Sequence, residues 1–259
     1  MTADKRKKVA LIIEAIRGHE RDVMRGIAKY ARTWGNWVFY LDKLDPYYHF
    51  NPTQVKHYIA RLLEWGVDGV ITRYPEEFEA LKDKGIPMFS LKQLKTPENT
   101  FVLDNRQIGM TGAQYFIERC FKHFGFCGFE EMFWSGIRSQ AFSETVAACG
   151  CHVSVYPPPR SRQPFSWESE QKTLADWLIS LPKPAAVMAC NDDCAEHVLE
   201  AAKLAGLYVP EEVAVLGVSN DELICEFSDP PLSSIVLNSQ QAGYEAAGIL
   251  DQLMAGVKP

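Results

Sequence analysis

The chain lacks the glycine-rich loops that cradle phosphates. Neither GxGxxG nor GxxxxGKS/T occurs in its 259 residues, which excludes a dinucleotide fingerprint and a Walker-type nucleotide site. GxSxG and HExxH are absent too, so neither a hydrolase nucleophile elbow nor a zinc-protease helix is encoded. Long apolar runs are missing. The longest, around Val9–Ile13 and Ala185–Cys190, fall far short of the about 20 residues that cross a bilayer, so no membrane partner is expected. Positive charge is scarce: 27 Lys and Arg stand against 33 Asp and Glu, a net charge of -6. A nucleic-acid surface needs a basic stripe to displace phosphate counterions. The one basic run, Lys5 to Lys8, reads as a solvated lead-in to the first strand, so this stretch is not expected to touch DNA by itself.

Cysteine pairing is missing as well. The seven cysteines (Cys120, Cys127, Cys149, Cys151, Cys190, Cys194 and Cys225) are odd in number and show no paired CxxC. Cys149-x-Cys151 and Cys190-x3-Cys194 come nearest to metal spacing, but no His-x3-His completes a zinc set, and the six histidines are scattered. Reduced core thiols in a cytoplasmic protein are the expectation, with no metal and no cofactor. The polar start, Met1 to Lys8, shows no signal-peptide pattern and points the same way.

What is present is a soluble globular composition, 47% hydrophobic and 23% charged, at a length that predicts two lobes. Short β-rich runs alternate with amphipathic stretches. Val9–Ile13, Trp37–Leu41, Val67–Thr72 and Ile86–Leu91 read as strands. Helical spacing falls at Val23, Ile27, Tyr30 and Ala31, at Val55–Leu63, and over Phe78–Lys84. The second half repeats the rhythm: an extended run at Thr100–Leu103, a helix from about Arg106 to Lys122, a strand at Gly125–Phe129, a helix at Arg138–Cys149 and a strand at His152–Tyr156. A proline-rich loop follows from Pro157. A helix then spans Trp167–Leu181, with Ser166 as its N-cap. Ala185–Cys190 and Val213–Val218 are strands, Asp192–Ala205 and Ser239–Met254 helices.

Such alternation predicts an α/β fold of two doubly wound parallel-sheet lobes. Ligands of such sheets bind beyond the carboxyl ends of the strands. Glu14, Lys92, Asp104, Arg138, Asn191, Ser219 and Asn238 stand just after strands. The pairs Asp192-Asp193 and Asp221-Glu222 could serve acid–base chemistry. The plainer expectation is that one carboxylate of each caps the next helix while the other is solvated.

Three segments carry a resemblance: Ala186-Val187-Met188-Ala189-Cys190-Asn191-Asp192 before a helix; Val209-Pro210-Glu211-Glu212-Val213 running to Val218; and Pro231-Leu232-Ser233-Ser234-Ile235-Val236, with Gly243 in the following helix. In order and spacing they resemble the effector-binding module of the LacI-type and type I periplasmic sugar-binding superfamily. Asp221 to Glu226 leading into Ser228-Asp229-Pro230-Pro231, with Leu174 to Pro182, is similar to the sensor half of AraC-type xylose-operon regulators. The resemblance covers nearly the whole chain. It implies a periplasmic-binding-protein-like I fold with a ligand cleft between the lobes, residues 1–122 plus 236–259 forming the first and 123–235 the second. It further implies a sugar effector, most simply D-xylose, and a homodimer. DNA would be bound only through a helix-turn-helix domain that this stretch lacks, so the chain reads as an excised sensor domain.

The same resemblance places Arg138 and Asn191 in the cleft on the second lobe, Glu14, Lys92 and Asp104 on the first, and Asn238 at the crossover. The residue chemistry suits a polyol. Buried hydroxyls need partners that donate and accept. Arg138 offers a fork of donors, Asn191 both donates and accepts, and Trp134 offers a flat apolar wall. One departure stands out: after Val218 the family usually carries an aspartate, and here it is Ser219. Asn220 and Asp221 follow and could substitute for it. Other readings stay open at this point. One is a transport-type sugar-binding protein. Another is a hydrolase acting through Asp192 or Asp221, which needs two carboxylates about 5–10 Å apart. A third is a sensor of a sugar phosphate or other small ligand, for which Lys92 and Arg138 would suit an anion.

Overall fold

The computed structural model describes residues 6–41, 52–92, 103–129, 132–157 and 167–257. Its packing divides the chain into two compact units, Met1–Leu103 with Asn238–Pro259, and Asp104–Leu237.

The first unit is built on a parallel sheet of order β2-β1-β3-β4. Its strands are β1 (Lys7–Ile12), β2 (Trp37–Leu41), β3 (Gly69–Thr72) and β4 (Met88–Ser90). β1 is central and its apolar run is continuous because both faces are covered. Val9, Leu11 and Ile13 pack with Val23 and Ile27 of α1 (Gly18–Tyr30) and with Ala246, Ala247 and Leu250 of α9 (Ser239–Met254). Ala10 and Ile12 face Val55, Tyr58 and Leu62 of α2 (Pro52–Trp65), and Phe78 and Leu81 around the short α3 (Glu79–Lys82). The strand's period of two thus feeds two cores. α1 and α9 touch backbone to backbone: a Cβ on Gly243 would collide with the Val23 carbonyl, and one on Gly26 with that of Gln240.

The second unit carries a parallel sheet of order β6-β5-β7-β8-β9. The strands are β5 (His123–Cys127), β6 (Val153–Val155), β7 (Ala185–Ala189), β8 (Val213–Val218) and β9 (Ser233–Ile235). Phe116 of α4 (Asn105–Glu118) and Phe142 of α5 (Phe133–Ala148) meet Phe124 and Phe126 on one face. The other face takes α6 (Trp167–Ser180), whose Trp177 lies against Gly125, and α7 (Asp192–Leu204). A single short helix, α8 (Glu222–Phe227), links β8 to β9.

Several elements differ from expectation. α4 packs with the second unit rather than the first. Gly109 lets it approach the α5 backbone, and Gly112 seats the Met188 thioether, so the division falls between Leu103 and Asp104, not after residue 122. α4 also stops at Glu118, where Cys120 turns left-handed at φ 64°. α5 begins earlier, at Phe133. β9 and α8 have no hydrophobic run long enough to announce them. The Ser166 cap and most of Thr100–Leu103 lie outside the described residues.

Candidate functional site

The carboxyl ends of each sheet form a polar rim. In the second unit that rim is led by Arg138, which α5 carries inward. The residue is only 3% exposed, so it is not a surface helix arginine. Its Nε donates to Asn105 Oδ1 at 2.9 Å, and its Nη1 donates to the Cys190 carbonyl at 2.5 Å. The guanidinium lies 4.8 Å from the ring centre of Trp134, one helical turn back, in cation–π geometry. Burial strips the cation of water and lowers its pKa to about 10, while the charge of Asp192 acts in the opposite sense.

Asn191 ends β7 and caps α7. Its Oδ1 accepts the Cys194 amide at 3.0 Å, and its Nδ2 donates to Asp193 at 3.1 Å. Both halves of the amide are therefore engaged within the protein. Behind it sit three buried thiols, Cys127, Cys190 and Cys194, with Cys194 Sγ 3.5 Å from Cys127 Sγ. The thiol pKa values of Cys190 and Cys194 are raised, that of Cys190 chiefly by burial, and protonated buried thiols are poor nucleophiles. Cys120 and Cys149, by contrast, are exposed rather than core residues. Among the described residues no group of three or more His, Cys, Asp or Glu is arranged to hold a metal ion.

The loop after β8 explains the two carboxylate pairs. Ser219 and Asn220 both have positive φ, 116° and 51°, so the chain doubles back sharply. Asp192 holds that bend. Only 2% exposed, it accepts the Asp221 amide at 2.7 Å and the Ser234 hydroxyl at 2.5 Å. Gly217 is required beside it, since a Cβ there would collide with Asp192 Oδ1. Asp221 in turn caps α8, accepting the Leu223 amide at 3.2 Å. The expected pattern of one capping and one solvated carboxylate holds for Asp221 and the exposed Glu222, but is corrected for the other pair: Asn191 caps α7, and Asp192 is a buried clamp. Asp221 is itself buried. Ser219 stays partly exposed, its amide donating to the Ile235 carbonyl at 3.0 Å.

Asp104 is exposed and caps α4 through the Gln107 amide at 2.9 Å, which places it on the second unit rather than the first. The first unit's rim holds Glu14, which accepts a hydrogen bond from the Tyr74 hydroxyl. Beside it, Arg73 pairs with the buried Glu20 and feels the charge of Glu14. Lys92 is exposed and paired with Glu76 at 2.7 Å. Asn238 is exposed at the start of α9 and makes no side-chain capping bond. Arg73, Tyr74, Glu20 and Asn105 were not singled out from sequence. Arg73 and Tyr74 follow β3 directly, so the rule that selected Glu14 also points to them. Nothing local marks Asn105 as the partner of a residue 33 positions away.

Residues 113–259 match the family model of the periplasmic binding protein-like domain. The chain belongs to that family. It is 27% identical over 262 residues to the xylose operon regulatory protein of Escherichia coli K12, an alignment covering 96% of this chain and 64% of that protein. The Haemophilus influenzae xylose operon regulatory protein is 28% identical, with 97% and 65% covered. The chain thus spans just under two thirds of the length of these relatives. The HTH-type transcriptional repressor CytR of E. coli is 29% identical over 243 residues, with 91% and 69% covered. Among solved structures, that of the xylose-binding transcription activator xylR superposes with a TM-score of 0.80 at 25% identity, covering 98% of this chain and 65% of that one. The CelR–cellobiose complex superposes at 0.70 with 21% identity, covering 98% and 80%, and supports the fold. No helix among the described residues is long and apolar enough to cross a membrane.

Proposed function

We propose that this chain is the effector-sensing part of a sugar-responsive transcription regulator. The observation that carries this reading is a buried guanidinium, Arg138, stacked on Trp134 at the carboxyl edge of a periplasmic binding protein-like unit. A planar donor beside an aromatic face suits the alternating hydroxyl and C–H surfaces of a small polyol. The likeness to two xylose operon regulatory proteins supports a pentose-class effector, with D-xylose as the first ligand to try. Arg138, Trp134, Ser219, Asn191 and Asp104 are the contacts assigned to the second unit, and Glu14, Lys92 and Asn238 those assigned to the first.

The protein acts as a binding module and not as a catalyst. Asp192 and Asp221 are both tied up in backbone and hydroxyl hydrogen bonds, which suits structural carboxylates better than a catalytic pair. The effector shifts the regulator by binding one of its states better than another, since equal affinity would shift nothing. DNA is contacted by another part of the regulator, which works as a homodimer in the cytoplasm. Calorimetric titration with a panel of pentoses and hexoses tests the reading. Saturable heat with at least one sugar is expected, and no heat with any of them at millimolar concentration overturns it.

A further inference from the structure

Two cysteines that the sugar-sensing reading does not use meet beneath the rim of the second unit. Cys127 ends β5, level with Ala189 at the end of β7, and Cys194 stands in the first turn of α7. The two are 67 positions apart in the chain, yet Cys194 Sγ lies 3.5 Å from Cys127 Sγ and 3.4 Å from the Cys127 carbonyl oxygen. Both are buried, at 4% and 3% exposure. The rim above them is more open: Gly128 and Asn191 are partly exposed, and Phe129 is exposed. Cys194 also anchors a residue assigned to the effector, because its amide donates to Asn191 Oδ1 at 3.0 Å.

Sulfurs in contact need close only about 1.5 Å to reach bonding distance. A bond between residues so far apart in sequence also removes much of the unfolded chain's freedom. We propose that Cys127 and Cys194 are a modification site, a dithiol that a small disulfide such as oxidised glutathione converts reversibly into a disulfide clamping the first turn of α7 to the end of β5. This goes beyond the sugar-sensing reading and stands without it. One cysteine, deprotonated as the rim opens, attacks a sulfur of the oxidant and expels a glutathione thiolate. The other cysteine then attacks the mixed disulfide; the protein S–S bond forms and a second glutathione thiolate leaves. The two protons shed by the cysteines end on the two glutathione thiols, so the protein is oxidised as the oxidant is reduced. In the closed site the Cys194 thiol pKa is raised, first by its hydrogen bond with Cys127 and further by burial, so exchange waits on local opening and is slow. A dithiol of this kind, oxidised only when the surrounding glutathione is, suits a redox-sensing pair rather than a permanent staple.

The test equilibrates the 259-residue chain in glutathione buffers of increasing oxidised fraction, both as the folded protein and during refolding from urea, which gives the oxidant access to the thiols. Remaining thiols are then blocked and the protein is mapped by mass spectrometry. A peptide joining Cys127 to Cys194, lighter by two hydrogens and lost again in reduced glutathione, is expected. Hydrogen exchange at the Cys194 and Ala195 amides, both held by Asn191, is expected to slow about tenfold or more in the oxidised protein. Cys194→Ala should abolish both effects, whereas Cys120→Ser, at an exposed cysteine, should keep both. Failure to find the joined peptide after both treatments of the wild-type chain overturns the proposal. A disulfide that joins Cys194 to Cys190 instead overturns the assignment of the pair. A Cys127–Cys194 bond that leaves amide exchange unchanged overturns the clamp.

Discussion

Asp192 reaches across 29 residues to accept the Asp221 amide at 2.7 Å, and so fixes the turn on which Ser219 stands. The same carboxylate takes the Ser234 hydroxyl, tying β9 to the start of α7. Asp192→Asn keeps the shape but loses the full charge and one acceptor. A loss of about 1–3 kcal/mol is expected from urea denaturation, as for other buried hydrogen bonds to a charged group.

Burial raises the pKa of Asp192 above the ordinary carboxylate value. The folded protein therefore binds a proton here more tightly than the unfolded chain does. The stabilisation from that proton is fully present below the unfolded value of about 4 and fades as pH rises through the folded one. The wild type should lose stability relative to Asp192→Asn as pH is raised from about 4 toward neutrality. Parallel urea titrations of both proteins check this, and curves that stay equally spaced would count against it.

Asn105→Ala removes the acceptor for Arg138 Nε and leaves a buried charge less satisfied. A cost of about 1–3 kcal/mol is expected in thermal or urea unfolding. Ligand affinity should fall in the same variant, because the guanidinium loses its fixed plane. Asn105→Asp should raise the pKa of Arg138 by supplying a counter-charge beside its Nε.

Trp134→Ala strips the ring from the guanidinium. The expected loss of affinity is about 0.5–2 kcal/mol, with Trp134→Phe falling between, since the indole is the stronger cation–π partner. Unfolding should change little, because Trp134 is only partly buried.

Gly243→Ala should be far more damaging than a typical helix substitution. The new methyl would meet the Val23 carbonyl, so α1 and α9 must separate. A destabilisation of about 1–3 kcal/mol is expected from this overpacking, despite alanine's better helix propensity. Gly136→Ala, in α5 with open space around it, is the control and should be neutral or mildly stabilising.

Much of this architecture was legible in the chain. Val9–Ile13 announces a two-faced central strand, and the structure uses alternate residues for two cores. Asn191 follows β7 directly, as expected, whereas Arg138 lies inside α5, which begins at Phe133, rather than just after a strand. What could not be read was pairing over distance. Asp192 looked like a cap or a solvated neighbour of Asp193, since Asp221 and Ser234 lie 29 and 42 residues away. α4 was grouped with the wrong neighbours because Gly109 and Gly112 record a close approach but not its partner. β9 holds three residues, two of them serine, and only its register with Leu216–Val218 makes it a strand.

The first unit is not contiguous in the chain: it is left at Leu103 and rejoined at Asn238. Ala246, Ala247 and Leu250 complete its core, and Gly243 seats it on Val23. During synthesis α1 alone covers that flank of the first unit's sheet until α9 has been made. The intervening unit has all its strands in one stretch and can finish first, so the order of birth and the order of maturation are reversed.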